Sequence, residues 1–378
     1  MKQGSMSVYQ ASWWNWVRQL YPGYFACVMA TGIVSIALLL NQAILVSVIL
    51  GWLGGGLFLL LLALYLLRLI RYPRAVLQDA TDPSKLFGYF TAVAAPGVLA
   101  TRAALSHWVG LPVLLTALAA GIWCFLTYWA FAVLLFHNAR PLQQTVNGSW
   151  LISIVGTESL AINGTLLASI WPEQAAVLQL VAYAFWTLGV LLYLIFITFI
   201  VYRFFFGKIL PADLTPPYWI NMGAMAITTV AGIRLLQAPH PAPLLVGVRS
   251  YLTGFTLMMW AWGTWWLPLL VLIGIWKYGI MRQPLRYEPA LWSIVFPLGM
   301  YATALHLLGQ LPGIAFFEAV AVPFTWVAFV AWLLVMGGWF LEIGRTLRRL
   351  RACAQTRETH PLAVSEREGP ASRLPAEG

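Results

Sequence analysis

Ten apolar segments, each long enough to cross a bilayer, follow one another between residues 20 and 341. A membrane-spanning helix needs about 20 largely apolar residues, and Pro or Gly marks many of the joints between the segments. Only 9% of the side chains are charged, whereas a soluble domain carries about 25%. The sequence therefore predicts an all-α integral membrane protein. The predicted spans are 20–40, 44–67, 86–105, 112–136, 148–170, 175–202, 217–236, 250–276, 290–308 and 315–341.

A phrase of thirteen residues occurs twice, at 23–35 and at 88–100, with six identical positions. Such a repeat is typical of a helix pair that is copied around an axis. The odd-numbered spans are rich in small residues, whereas the even-numbered spans are bulkier and suit lipid. We therefore expect five helical hairpins, with the odd helices lining a central pore. The alternative is that the small residues only allow the helices to pack closely.

The Lys and Arg residues predict the orientation of the chain. If the spans alternate in direction, nineteen of the 22 basic residues fall on one side, and only Arg102, Arg234 and Arg249 fall on the other. The positive-inside rule then places both termini in the cytoplasm. The net charge of +10 therefore indicates topology and not nucleic acid. We expect a cytoplasmic N-terminal segment at 1–19, a membrane domain at 20–341 and a basic, disordered cytoplasmic tail at 342–378, in a bacterial inner membrane.

Four short motifs open four of the odd spans and give the chain a likeness to a known family. With these motifs the chain resembles the tellurite-resistance/dicarboxylate transporter family over roughly residues 20–340. That family includes bacterial tellurite-resistance proteins, fungal malate permeases and sulfite efflux pumps, and plant slow-type anion channels. The motifs are PGYF at 22–25 with MATG at 29–32, NGSW at 147–150, NMGAMA at 221–226, and LWS at 291–293 with Phe296.

The resemblance implies a quasi-five-fold pore in each protomer of a homotrimer that carries anions without a prosthetic group. It also implies that a Phe of the ninth span plugs the pore, and Phe296 is the residue that matches. Pro96 and Pro297 lie in inner spans, where a proline kinks a helix and makes room for a ring. Ordinary core packing is the alternative role for Phe296. The small residues expected along the pore are Gly32, Gly97 and Gly299.

Glu158 is the most unusual side chain of the apolar spans. It lies ten residues after Gly148, which places it roughly 15 Å into its span. A carboxylate at that depth costs at least about 2.5 kcal/mol and is usually functional or paired. Two roles follow: Glu158 takes up a proton and couples it to transport, or it pairs with Arg102, about 6 Å further along the axis. A third possibility is that it does neither.

Three further polar groups have both a functional and an ordinary interpretation. Arg102 and Arg234 end inner spans and predict a basic collar that draws anions to the pore, unless they only extend to lipid phosphate. His306 has the ordinary pKa range of a pH sensor, although a lone His in a helix is more often simply hydrogen-bonded. Inner-span hydroxyls either donate to an anion or bond the preceding turn. These hydroxyls belong to Thr31, Thr157, Thr228, Thr229 and Ser293.

The chain lacks the sequence motifs of ATP hydrolysis and metal chemistry. It contains no GxxxxGK(S/T), no HExxH and no CxxC, so we expect a protein that is not an enzyme and needs no cofactor or metal. We predict a transporter or channel for small anions in a lipid bilayer. The resemblance implies C4-dicarboxylates such as malate, tellurite-related anions or inorganic anions as substrates, with sulfite efflux as the alternative. A non-conducting membrane sensor or scaffold is the alternative from another class.

Overall fold

The computed structural model describes residues 8–239 and 241–359, and in those ranges the chain forms helices and no strand. A helix lies at each predicted span. Eight helices are long and apolar enough to cross a membrane, and Ala26–Leu40 is a shorter apolar helix. The helices are α1 (Val8–Arg18), α2 (Ala26–Leu40), α3 (Ile44–Arg71), α4 (Pro73–Ala80), α5 (Thr91–Ala104), α6 (Gly110–Phe136), α7 (Leu142–Thr145), α8 (Ile152–Ile170), α9 (Ala175–Phe206), α10 (Ile220–Leu236), α11 (Pro243–Gly247), α12 (Arg249–Gly274), α13 (Trp292–Gly309) and α14 (Phe316–Thr359).

Ten of the described helices pack as five consecutive hairpins, α2–α3, α5–α6, α8–α9, α10–α12 and α13–α14. In the last three hairpins, the apolar part of the first helix is 89–94% buried, whereas that of the second is only 22–44% buried. All residues of α2 except the last two are buried as well. The predicted difference between small-residue and bulky spans therefore matches a difference in burial: the first helix of each hairpin is an inner helix and the second an outer helix.

The five inner helices form a closed ring. Helix α2 packs on α5, α5 on α8, α8 on α10 and α10 on α13, which packs again on α2. Glycine lies at four of these contacts, where an added Cβ would come within 2.6–2.9 Å of the neighbouring helix. These glycines therefore allow the helices to approach closely. The glycines and their neighbours are Gly32 and Val98, Gly97 and Ser159, Gly223 and Pro297, and Gly299 and Ile33.

Short turns at the start of the inner helices touch one another. This contact gives a reason for the glycine that begins both copies of the repeated phrase. A Cβ on Gly88 would lie 3.2 Å from the backbone nitrogen of Gly23, so the first residues of the two copies are in contact. A Cβ on Gly148 would lie 2.4 Å from the carbonyl carbon of Pro217. Glycine is therefore required where two helix starts meet. Four of the starts are 3-10 turns, Leu86–Phe90, Gly148–Leu151, Pro216–Trp219 and Pro289–Leu291.

Each outer helix is hydrogen-bonded to the inner helix of the next hairpin. In the bond that joins the last hairpin to the first, Trp332 Nε1 of α14 donates to Thr31 Oγ1 of α2 at 3.0 Å. All five of these hydrogen bonds, here called joints, connect an outer helix to the inner helix of the following hairpin. Each hairpin is therefore bonded to the next one around the ring. The other four are Arg102 to Ser47 (3.3 Å), Trp123 to Thr157 (2.8 Å), Trp186 to the Thr228 carbonyl (3.0 Å), and Thr264 with Tyr301 (2.8 Å).

The two ends of the membrane domain differ from the predicted boundaries. The first span was expected to begin at residue 20, but α2 begins at Ala26 because residues 22–25 form turns. Helix α14 continues from Phe316 to Thr359, so the tail predicted to be disordered from residue 342 begins within a helix. The rest of that tail, 360–378, and residues 1–7 of the N-terminal segment lie outside the described residues.

Candidate functional site

Phe296 lies on the face of α13 that is turned towards the interior of the ring. On this helix Gly299 faces α2, and Pro297 faces Gly223 of α10. Successive residues are rotated by about 100°, so Phe296 lies within the arc between these two directions. Tyr301 and His306, which bond to the outer helices, fall outside this arc. The Phe296 side chain is only 2% exposed.

Arg102 is turned away from the ring interior. Its Nε donates to Ser35 Oγ at 2.7 Å, and its two terminal nitrogens donate to Ser106 and to Ser47. These serines belong to α2, to the end of α5 and to α3. The side chain is 7% exposed. Arg102 therefore joins three segments of the fold, and this position does not fit an open basic collar.

Glu158 is fully buried (0% exposed) where α8 meets α9 and α10. Its Oε1 accepts a hydrogen bond from Thr228 Oγ1 at 3.1 Å, whereas its Oε2 is buried without a partner among the described residues. A Cβ on Gly189 would lie 2.3 Å from Oε1, so the carboxyl group occupies the space that a side chain on α9 would fill. Glu158 therefore has one neutral hydroxyl donor and no cation paired with it among the described residues.

The proposed pair between Arg102 and Glu158 is not formed in the part of the chain that the structure describes. The depth of the two residues was compatible with pairing. However, Arg102 is turned towards α2 and α3, whereas Glu158 is turned towards α9 and α10. The arrangement therefore leaves Glu158 with a hydroxyl partner and Arg102 with serines.

Arg234 ends the inner helix α10 and differs from Arg102. Its Nε is buried, and its guanidinium has no hydrogen-bond or ion-pair partner within residues 8–239 and 241–359. His306, in contrast, is buried against α14, and its Nε2 lies 3.3 Å from Thr325 Oγ1. That contact fits the ordinary interpretation of His306. Its role as a pH sensor remains a prediction.

Most of the hydroxyls expected to face an anion serve the fold. Thr31 Oγ1 donates to the Cys27 carbonyl at 2.7 Å and accepts from a Trp of an outer helix. Thr157 is arranged in the same way, with Ser153 as its acceptor. Thr229 also donates to the preceding turn. The single hydroxyl proton of Thr228 is shared between the Ala224 carbonyl at 2.8 Å and Glu158 Oε1 at 3.1 Å. These contacts fit the alternative in which such hydroxyls bond their own helix.

Ionic contacts fasten the loops at the end of the ring where the inner helices begin, and the sequence did not predict them. The nearly fully buried Arg68 pairs with Asp79, which also binds Lys85 at 2.8 Å. Asp82 accepts from Ser84 and pairs with Arg140 at 3.0 Å. Partial burial opposes ionisation of Asp82, but the Ser84 hydrogen bonds and the nearby cations lower its pKa. This contribution to stability is present at neutral pH and is lost as the pH falls through the lowered value.

Metal ligands are not gathered anywhere in the described ranges: no group of three His, Cys, Asp or Glu side chains lies together there. Glu158 is the one acidic residue on the five inner helices, which also carry Arg102 and Arg234.

Comparison with known proteins gives matches over nearly the whole membrane domain. The profile of a family described as voltage-dependent anion channel matches residues 19–340. An uncharacterized membrane protein of Mycobacterium tuberculosis is 37% identical over 167 residues, which are 43% of this chain and 84% of the relative. An uncharacterized transporter of Methanocaldococcus jannaschii is 27% identical over 333 residues (85% and 92%). A sulfite efflux pump of Trichophyton rubrum is 24% identical over 351 residues (85% and 90%).

Proposed function

Because this chain belongs to the voltage-dependent anion channel family, we propose that it carries small anions across a membrane through the interior of its helical ring. The family match confirms the likeness to the tellurite-resistance/dicarboxylate transporters that the short motifs indicated. The observation that carries the proposal is the closed ring of five buried inner helices. Buried small-residue helices that enclose an axis provide a path shielded from lipid, and the unpaired Arg234 near the end of α10 would favour anions.

In this proposal all ten helices of the five hairpins cross the membrane and the inner five line the pore, with Phe296 as its constriction. The inward-facing position of Phe296 supports that role. The distribution of Lys and Arg supports cytoplasmic termini, and the family resemblance supports a homotrimer in a bacterial inner membrane. Gly32, Gly97 and Gly299 then act by bringing the inner helices together around the pore.

The substrate is a small anion of a class still to be assigned. The relative named as a sulfite efflux pump makes sulfite a specific candidate. Malate, tellurite and inorganic anions are the other candidates that the family resemblance suggests. The unpaired guanidinium of Arg234, near the end of an inner helix, can attract all of these anions.

A flux assay tests the proposal. The purified protein is reconstituted into liposomes, and the uptake of chloride, nitrate, sulfite, malate and tellurite is compared with that of protein-free liposomes at several membrane potentials. We expect at least one of these anions to enter faster in the presence of the protein. If none does, for the wild type and for a variant without the Phe296 ring, the proposed function is wrong and a sensor or scaffold role gains support.

We further propose that Glu158 couples a proton to transport. In a Glu158→Gln variant the amide keeps the size of the acid and its contact with Thr228, but it cannot take up or release a proton. We expect the pH dependence of uptake to flatten, because the variant carries no group at this position that can titrate. Uptake is measured with liposomes whose internal pH is held constant. Glu173→Gln, in an exposed loop, is the control and should keep the wild-type profile. An unchanged profile in Glu158→Gln would leave Glu158 as a structural residue.

A further inference from the structure

We propose that Arg234 is a binding site for one oxyanion or carboxylate at the C-terminal end of the ring interior. The inference rests on the proposed function, because it names the side chain that holds a transported anion on its path. Arg234 holds the anion without Arg102, although the sequence predicts a basic collar that contains both residues. The inference also predicts which chemical class of anion is held best.

The position of Arg234 on α10 follows from three neighbours. Gly223 faces Pro297 of α13, Thr228 binds Glu158 at the α8 side, and Gly232 faces Thr256 of the outer helix α12. At about 100° per residue, Arg234 lies about 20° from the direction of Gly223 and within the arc that joins the α13 side to the α8 side. That arc does not contain the direction of the outer helix. Arg234 therefore projects from the part of α10 that faces the ring interior.

The same arc of α10 is otherwise apolar. Going up the helix, it carries Ala224, Ile227 and Ala231, and Arg234 follows as its charged residue. Pro216 and Pro289 begin the equivalent 3-10 turns before α10 and α13. Arg234 lies eighteen residues after Pro216, whereas Phe296 lies seven residues after Pro289. At 1.5 Å per residue the two differ by about 16 Å along the axis. An anion that enters from this end therefore meets the guanidinium before it meets the phenyl ring.

The guanidinium of Arg234 is free to bind a ligand. In the described residues it makes no hydrogen bond and no ion pair, and its Nε is buried. The two acidic side chains at this end, Glu173 and Glu318, are exposed and neither pairs with it. The residue as a whole is only partly buried, so its two terminal nitrogens stay accessible, while its enclosed Nε lacks a partner that an anion can supply. Arg102 has no such vacancy, since three serines accept from it.

The geometry of an arginine determines the class of anion. A guanidinium presents planar, paired N–H groups that match two oxygens of a carboxylate, sulfite or nitrate, whereas a chloride ion uses only one point of attachment. Arg234 should therefore favour oxyanions and carboxylates over halides. A lysine at this position keeps the charge but loses the paired donors, so it separates the effect of charge from the effect of shape.

The test compares Arg234→Gln, Arg234→Lys and the control Arg249→Gln. Arg249 lies at the same end on the outer helix α12, where it binds the Leu236 carbonyl at 3.1 Å, so its loss removes the same charge away from the ring interior. We expect Arg234→Gln to raise the half-saturating concentration for the transported oxyanion by about tenfold or more. Arg234→Lys should keep uptake but reduce the preference for that oxyanion over chloride. The control should resemble the wild type in both measurements.

A binding assay separates this inference from the proposed function. The thermal stability of purified protein in detergent is measured with sulfite, malate and chloride. We expect sulfite or malate, but not chloride at equal ionic strength, to raise the melting temperature of the wild type and of Arg249→Gln, and not that of Arg234→Gln. Binding without any uptake would leave the site standing and refute transport. If the Arg234 variants match the control in affinity and in anion preference, the inference is wrong. Should Arg234→Gln fail to fold, Arg234→Lys alone decides on anion preference.

Discussion

Replacing Phe296 with alanine is expected to raise anion flux by about tenfold or more, which corresponds to a barrier lowered by at least about 1.4 kcal/mol. The ring lies on the interior face of α13, between the directions of Gly299 and Pro297, and almost none of it is exposed. Truncation to a methyl group removes the apolar phenyl ring. We expect the surrounding helices to keep their positions, because they pack directly on one another. Ion or tracer flux in liposomes measures the effect, at equal amounts of reconstituted protein.

A buried phenylalanine outside the ring interior provides the matched control. Phe196 on the outer helix α9 is 2% exposed, like Phe296, but it packs against Phe87 and Trp150. Phe196→Ala should lower stability without raising flux. A Phe296→Leu variant should give an intermediate flux, since it leaves part of the obstruction in place. The gate is refuted if folded Phe296→Ala conducts like the wild type, or if Phe196→Ala conducts equally well.

Substituting Gly148 with alanine is expected to destabilise the protein by about 3 kcal/mol, near the upper end of the usual cost of overpacking. The added Cβ would lie 2.4–2.5 Å from the carbonyl group of Pro217 and the nitrogen of Tyr218. These are backbone atoms in a 3-10 turn that begins with two prolines, so they cannot move aside as a flexible side chain would. The contact joins the starts of two inner helices, and the ring must open to admit the methyl group.

The measurement for Gly148→Ala is thermal unfolding in detergent, followed by tryptophan fluorescence, together with the yield of monodisperse protein. Gly55→Ala is the control, because a Cβ on that residue of α3 meets nothing within 4 Å. It should leave the melting temperature unchanged or raise it slightly, as alanine favours a helix over glycine. Equal melting temperatures for Gly148→Ala and the wild type would show that the two helix starts are not tightly joined.

The sequence allowed the position of residues along each helix to be predicted, but not their direction around it. Segment length and apolarity located the helices, and the small residues of the odd spans indicated which ones are buried. The depth of Glu158 and Arg102 was also accessible, because it depends only on a count of residues. The hydrogen-bond partners of Glu158 and Arg102 could not be predicted from the sequence. Whether Glu158 meets Thr228 or an arginine depends on which neighbouring helix its side chain faces, and that is decided by contacts between residues far apart in the chain.

The end of α14 was mispredicted for a different reason. Polar residues from 342 onwards mark where the chain leaves the apolar region, and hydropathy alone predicts a disordered tail there. The segment that follows is rich in Arg, Leu and Ala, which are good helix formers in water as well as in lipid. The helix therefore continues after the apolar stretch stops. Burial and helix formation are separate properties, and only the first follows from hydropathy.

The joints between successive hairpins have a consequence for how the protein is made. Four of them connect neighbours in the chain and can form as soon as the second partner leaves the ribosome. The fifth connects Trp332 to Thr31, which are separated by 301 positions, so it must wait until synthesis is almost complete. Until then α2 lacks its contacts with α13 and α14, and the side of α2 that they cover is left without a protein partner. A chain that ends before α14 would lack the hydrogen bond between the last hairpin and the first, so the circle of hydrogen-bonded hairpins would stay open.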